Sequence, residues 1–181
     1  MLTRMGRDIV LLNRSYGAKG NGHNAVMIGN DKDGWTLYSK DGLTVNTKTA
    51  YASFNDFIKE NLAAKHADQY NRAARVTTSE TEDKKMQEHG DKVYDRKYSL
   101  WERFGKNGEI TKQNCADLVG DIISNADSVI IDQPKVKIES DVYFGGKMIG
   151  KSVTNTGITS PNKQIENFTK TNNTEFFYLL P

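Results

Sequence analysis

The sequence predicts an α+β domain, and three features predict it: a short apolar strand near the start, a well-marked β-hairpin behind it, and a one-faced apolar helix far downstream. Residues 7–13, Arg-Asp-Ile-Val-Leu-Leu-Asn, read as a short buried strand. The loop that follows carries Gly17, Gly20 and Gly22 but lacks the Gly-Lys-Ser/Thr ending of a phosphate cradle, so it reads as a flexible lead-in. Residues 23–29 and 35–41 flank the turn-rich Asn30-Asp31-Lys32-Asp33-Gly34 and make the hairpin. Ser53 before Asp56, with Phe54, Phe57, Ile58 and Leu62 at helical spacing, predicts a helix over 53–64.

Residues 65–97 are polar and weakly periodic, and are expected to be helical in part, as an insertion or lid. Asn114–Ser124 is the strongest helix: Cys115, Leu118, Val119, Ile122 and Ile123 share a face, and Asn114 is a good N-cap. Residues 128–138 and 141–150 read as strands with Gly145-Gly146 as a bend or bulge. The polar stretch 151–172 reads as a loop around Pro161, and 175–180 as a last strand.

A length of 181 residues suits one domain with a real but modest core, given 36% hydrophobic and 27% charged residues. Lys plus Arg total 25 against 23 Asp plus Glu, and the basic side chains of 65–85 are interleaved with acids. Such a balance provides no concentrated basic face for nucleic acid. One cysteine excludes an internal disulfide framework and a cysteine-rich zinc site, and no metal or organic cofactor is expected. The apolar run Ile9–Leu12 is too short for a signal-peptide core, and no stretch approaches a membrane span. The chain is therefore expected to be soluble, with export, if any, depending on a machine or a parent polypeptide.

The chemistry rests on Cys115. A lone cysteine is most often an inert small hydrophobe. A nucleophilic one needs its thiolate, which a helix N-terminus and a neighbouring imidazolium both favour. Cys115 has the first by position, and the unpaired amides of the same helix start suit an oxyanion. His66 and His89 lie in the polar stretch, where exposed histidines are ordinary; His23 instead opens an apolar strand. With the hairpin turn centred near Lys32, Asp41 lies across from His23 and Ser39 diagonally, all on the face of Ala25 and Met27. Either polar residue could hold the imidazole in the useful tautomer, Asp41 with the added benefit of a charge. Asn114 caps the helix and could also orient an oxyanion. Trp35, Tyr38 and Trp101 are candidates for a substrate groove or for the core.

Gly22-His23-Asn24-Ala25-Val26-Met27-Ile28-Gly29 and, later, Asn114-Cys115-Ala116-Asp117-Leu118-Val119 resemble the permuted branch of the NlpC-type papain-like superfamily. There, as in lecithin:retinol acyltransferase-like proteins, the histidine strand precedes an Asn-Cys pair that opens a helix. The resemblance implies an antiparallel sheet packed against the cysteine helix, with His23 as base, Cys115 as nucleophile and a polar residue of the second hairpin strand as the orienting group. No histidine stands there, so that group is Asp41 or Ser39. Met5-Gly6-Arg7-Asp8 through His23, and Gly34-Trp35 through Ser39-Lys40-Asp41-Gly42, also resemble C-terminal toxin domains of bacterial Rhs-type effectors. Those are modular domains of a larger delivery protein, neutralised by a cognate immunity protein. The resemblances imply a cysteine hydrolase that cleaves a peptidoglycan peptide amide in a target cell's periplasm, through an acyl-enzyme. A lipid acyl hydrolase or acyltransferase is the alternative within catalysis, against which the sequence shows no amphipathic or aromatic-rich docking stretch. A non-catalytic binding domain is the alternative outside it.

Overall fold

The computed structural model describes residues 7–20, 22–41, 45–99, 103–104, 107 and 110–180. Met5, Gly6, Gly42 and Trp101, which entered the sequence argument, lie outside them. The chain begins β1 (Arg7–Arg14), a single turn α1 (Gly17–Gly20), β2 (His23–Asn30), β3 (Gly34–Asp41), β4 (Val45–Tyr51), α2 (Phe54–Ala63), β5 (Arg72–Thr78) and α3 (Glu80–Val93). It continues with the two-residue strands β6 (Lys97–Tyr98) and β7 (Arg103–Phe104), then β8 (Ile110–Gln113) and α4 (Cys115–Ile123). Last come β9 (Lys135–Phe144), β10 (Lys147–Thr159), α5 (Pro161–Thr171) and β11 (Glu175–Tyr178).

The fold is α+β. Its main sheet has six strands in the order β11-β5-β1-β2-β3-β4, antiparallel at every pairing. β6, β8 and β7 make a small sheet in which β6 and β8 run parallel, and β9 and β10 form a separate ribbon. The central strands are covered on both faces, which is why β1 and β2 read as nearly continuous apolar runs. Ile9, Leu11, Val26, Ile28 and Tyr38 pack with Met86 and Val93 of α3, with the apolar face of α4, and with Ile165 and Phe168 of α5. Val10, Leu12, Ala25, Met27, Trp35 and Leu37 face the opposite way, toward Phe57 of α2 and Tyr70. Trp35 and Tyr38 therefore belong to the two cores.

Helix starts follow the local chemistry. Ser53 caps α2 and Ser79 caps α3 in a capping box with Glu82. Asn114 and Asp117 form the same reciprocal box at α4.

Three readings of the sequence need correction. Residues 65–97 are helical in part, as expected, through α3, but they also hold β5, paired with β1 on one side and β11 on the other, so the segment is built into the main sheet rather than set beside it. Its Ala73 and Ala74 fill the sheet with little side chain, so no strong period marks it. Residues 128–134 form no strand; β9 starts at Lys135, and Gly145-Gly146 is the tight turn into β10 rather than a bend within a strand. The stretch 151–172 is not a loop: β10 runs to Thr159, and Ser160 then caps α5 with Pro161 in its first turn. Helix α5 buries chiefly Ile165, Phe168 and Gln164, too few apolar positions to stand out in a polar run.

Candidate active site

The site forms where the hairpin of β2 and β3 comes apart. The turn pairs Asn30 with Gly34, and the ladder runs down to Ala25 opposite Ser39. Continued by one alternate pair, that register sets Asp41 across from His23, as the hairpin pattern predicted. Beyond the last rung, the Asn24 backbone N–H donates to the Cys115 sulfur, and so does the Ala116 N–H of α4's own first turn. The start of α4 thus meets the open end of the hairpin, and the sulfur sits against the peptide that follows His23.

Antiparallel alternation sends His23, Ser39 and Asp41 to the α2 side of the sheet. There His23 Nε2 lies 3.1 Å from Ser39 Oγ, 3.2 Å from Asp41 Oδ1 and 3.3 Å from Tyr70 Oη. The sequence left Asp41 and Ser39 as alternatives; both reach the same nitrogen. A carboxylate can only accept, so the Asp41 contact selects the tautomer with the proton on Nε2 and leaves Nδ1 as the basic nitrogen.

Two further residues belong to the cluster and were missed by sequence reasoning. Tyr70, buried, also bonds Ser39 Oγ at 3.1 Å, its ring tilted against the imidazole with centroids 5.8 Å apart. Arg14, the cross-strand partner of His23 in β1, donates to Asp41 Oδ1 at 2.7 Å and to Asp68 Oδ1 at 3.3 Å. A β1–β2 register would have pointed to Arg14. Tyr70 lies in a stretch with no periodic signal and had none.

A buried amide network fixes the backbone under this cluster. Asn24 donates to the Pro161 carbonyl and to Gln164 Oε1, and accepts from Asn13. Gln164, wholly buried, donates to the Ala116 carbonyl, so α5 ties the residue after His23 to the residue after Cys115. Gly22 makes this approach possible. Its φ is +90°, and a Cβ there would stand 2.3 Å from Asn162 Oδ1 of α5.

Electrostatically the site is closed and neutral. Cys115 and His23 are 8% and 5% exposed. Burial pushes the Cys115 thiol up to about 11, against the two backbone N–H groups that favour the thiolate. Burial likewise holds His23 down to about 4, with Asp41 opposing and Arg14 assisting. The helix start favours the thiolate, as expected, but desolvation outweighs its amides. As separate charges both are disfavoured. Tyr98 and Asp117 lie within electrostatic reach of the sulfur.

Asn114 Oδ1 accepts the Asp117 N–H at 2.9 Å, so its carbonyl serves the cap. His66 stacks on Tyr16 and His89 pairs with Asp121 at 3.0 Å; neither joins the cluster. Among the described residues no group of three His, Cys, Asp or Glu is placed to hold a metal ion. A cavity of about 170 Å³ opens beside Ser39, Asp41 and Tyr70 and extends between β4 and α2, past Thr47, Thr49 and Glu60. Trp35 and Tyr38 do not line it. No protein-family model matches the chain, and neither a curated protein nor a solved structure matches it.

Proposed function

We propose that the chain is a cysteine-dependent hydrolase with a permuted papain-like fold, Cys115 its nucleophile and His23 its base. One observation carries this reading: the Cys115 sulfur rests on the Asn24 amide, beside a histidine whose Nε2 is anchored by Ser39, Asp41 and Tyr70. An inert core cysteine has no need to sit on the peptide that follows an oriented imidazole.

In this mechanism His23 takes the thiol proton as the sulfur attacks a carbonyl carbon. The Cys115 amide, first in α4 and without an intrahelical carbonyl, receives the developing oxyanion. Collapse breaks the carbonyl–leaving-group bond, and His23 protonates the departing amine. Water, deprotonated by His23, then attacks the thioester, releasing the acid and restoring the thiol. Asp41 stabilises the imidazolium that forms in each half-reaction.

The substrate we favour is an amide of peptidoglycan peptides, and the setting a delivered bacterial effector held in check by an immunity protein. Both rest on the resemblance of the His23 and Cys115 blocks to NlpC-like and Rhs-type domains. A second reading, hydrolysis of a lipid acyl ester, gains from one observation: a cluster of exposed apolar side chains at the far end of β9 and β10.

The test is alkylation of Cys115 by iodoacetamide against pH, in the protein and in His23→Ala. The rate should rise as His23 loses its proton near pH 4, stay level through neutrality, and rise again as the thiol ionises near 11. His23→Ala should remove the plateau. An alkaline rise alone in both proteins would overturn the reading and leave a non-catalytic domain. Product release from purified sacculi or from phospholipid vesicles then assigns the bond.

A further inference from the structure

The β9–β10 ribbon is unlike the rest of the molecule. It is joined edge to edge by Gly145-Gly146, both at positive φ, a turn whose twist matches that of the paired strands. Six of the ten large apolar side chains that stand exposed among the described residues belong to it, and five of these fall between Val142 and Ile149. Phe144, at the turn, is 78% exposed.

The arrangement at the tip says what it fits. Tyr143 pairs with Met148 and points to one face of the ribbon, whereas Val142 and Phe144 point to the other; Ile149 sits in the irregular step between Met148 and Gly150. A partner that covered a single face would leave half of these side chains in water. Edge-to-edge pairing with a second copy is blunted by the two register shifts in the ladder, and by the charged Lys137, Glu139, Asp141 and Lys151 along the strands. What remains is a surrounding that takes the tip in end-on. From Val142 to the turn, three residues reach about 10 Å at ~3.3 Å each. That is close to the 5–10 Å to which interfacial segments enter the headgroup and acyl boundary of a bilayer. Above it the ribbon turns polar and charged, and its open edges need water, so entry stops there. Lys147 supplies a cation at the turn, its long stem able to reach back from the tip to phosphate, whereas Lys151 is met within the ribbon by Glu139 at 3.6 Å and faces Asp141.

We propose that the Val142–Ile149 tip is a membrane-docking element that inserts into the interface of a phospholipid bilayer. Docking does not depend on the hydrolase reading and holds whether or not Cys115 is a nucleophile. Strand by strand the sequence shows no docking stretch, because the apolar residues of 142–149 are too few and their period too mixed; they become a patch only when the turn folds them back on one another.

The experiment uses the full chain carrying Cys115→Ala, so that no turnover enters the readout. It is floated with phosphatidylcholine vesicles, with and without phosphatidylglycerol. Binding to both is expected, tighter by several-fold on the anionic vesicles. Phe144→Ser together with Ile149→Ser should weaken it at least tenfold, since each takes one large apolar side chain out of the bilayer interface. Phe144→Trp should gain a blue-shifted emission over the two native tryptophans, quenched by lipids brominated near the headgroup end of the acyl chain. Failure to float, or flotation that the double variant leaves unchanged, would overturn the proposal. So would a dimer that the double variant abolishes, which would assign the tip to a second copy, or tip emission that vesicles do not shift.

Discussion

Around His23, polar side chains are buried and bonded to one another; around Gly145, apolar side chains stand in water. The first region inverts the usual order inside the protein and the second inverts it outside. At the His23 end the cost is met locally. Nε2 has three partners, Asp41 has an arginine, and the Asn13–Asn24–Gln164 amides satisfy each other. At the hairpin the cost is left open, since a two-stranded ribbon with no core of its own has nothing to bury those side chains against. The difference teaches where to look for each kind of function. A satisfied buried polar cluster fixes geometry for chemistry, and an unsatisfied apolar one marks a surface waiting for a partner.

The sharpest way to break this comparison is to remove the sulfur. Cys115→Ala should lower hydrolysis by more than about 1,000-fold, with sacculi or vesicles as substrate, and leave vesicle flotation unchanged. A variant lacking the tip should do the reverse to flotation and retain the neutral-pH labelling of Cys115. Loss of both properties in either variant would mean that the regions are one site.

Core and tip should also differ in what they contribute to folding. Leu118→Ala, in the packed face of α4, should cost about 2–5 kcal/mol in urea unfolding, whereas Phe144→Ala should stay within about 0.5 kcal/mol. A tip substitution as costly as the core one would show that the ribbon packs against something in solution.

The buried imidazole predicts a pH signature. Its folded pKa, about 4, lies below the 6.5 of a free imidazole, so protons favour the unfolded chain. The stability contributed by neutral His23 is complete above pH 6.5 and is lost as pH falls toward 4, up to about 3 kcal/mol. Asp83 acts oppositely in an overlapping window: burial raises it to about 6, so its folded form gains protons first and stability rises as pH falls through that value. The difference between the protein and His23→Gln isolates the histidine. Chemical denaturation at a series of pH values should show that difference sloping between 6.5 and 4, and a flat difference would mean that the imidazole is solvated. The cap contributes less than the core or the histidine: Asn114→Ala should cost about 1 kcal/mol in urea unfolding and should slow Cys115 labelling at neutral pH, because it loosens the first turn that carries the sulfur.

How much of this was legible varies by element. The β2–β3 hairpin and the α4 cap were plain, because turn chemistry, alternation and capping act over a few residues. Once the turn was placed near Lys32, the pairing of His23 with Ser39 and Asp41 followed by counting. Tyr70, Arg14 and Gln164 were not legible. They reach the site from β1, from the segment before β5 and from α5, whose side-by-side placement depends on contacts between distant parts of the chain. The same holds for β5, whose alanines carry little periodic signal yet fill the middle of the sheet.

The sequence by itself determined the local pieces: an apolar hairpin opened by a histidine, and a capped helix opened by the one cysteine. Only the tertiary structure decided that the two meet at the frayed end of the ladder, and that burial there keeps thiol and imidazole neutral. It also decided that five apolar side chains gather at a free tip. The reason is physical: capping and alternation are properties of neighbours in sequence, whereas desolvation and exposure are set by what the rest of the chain brings near.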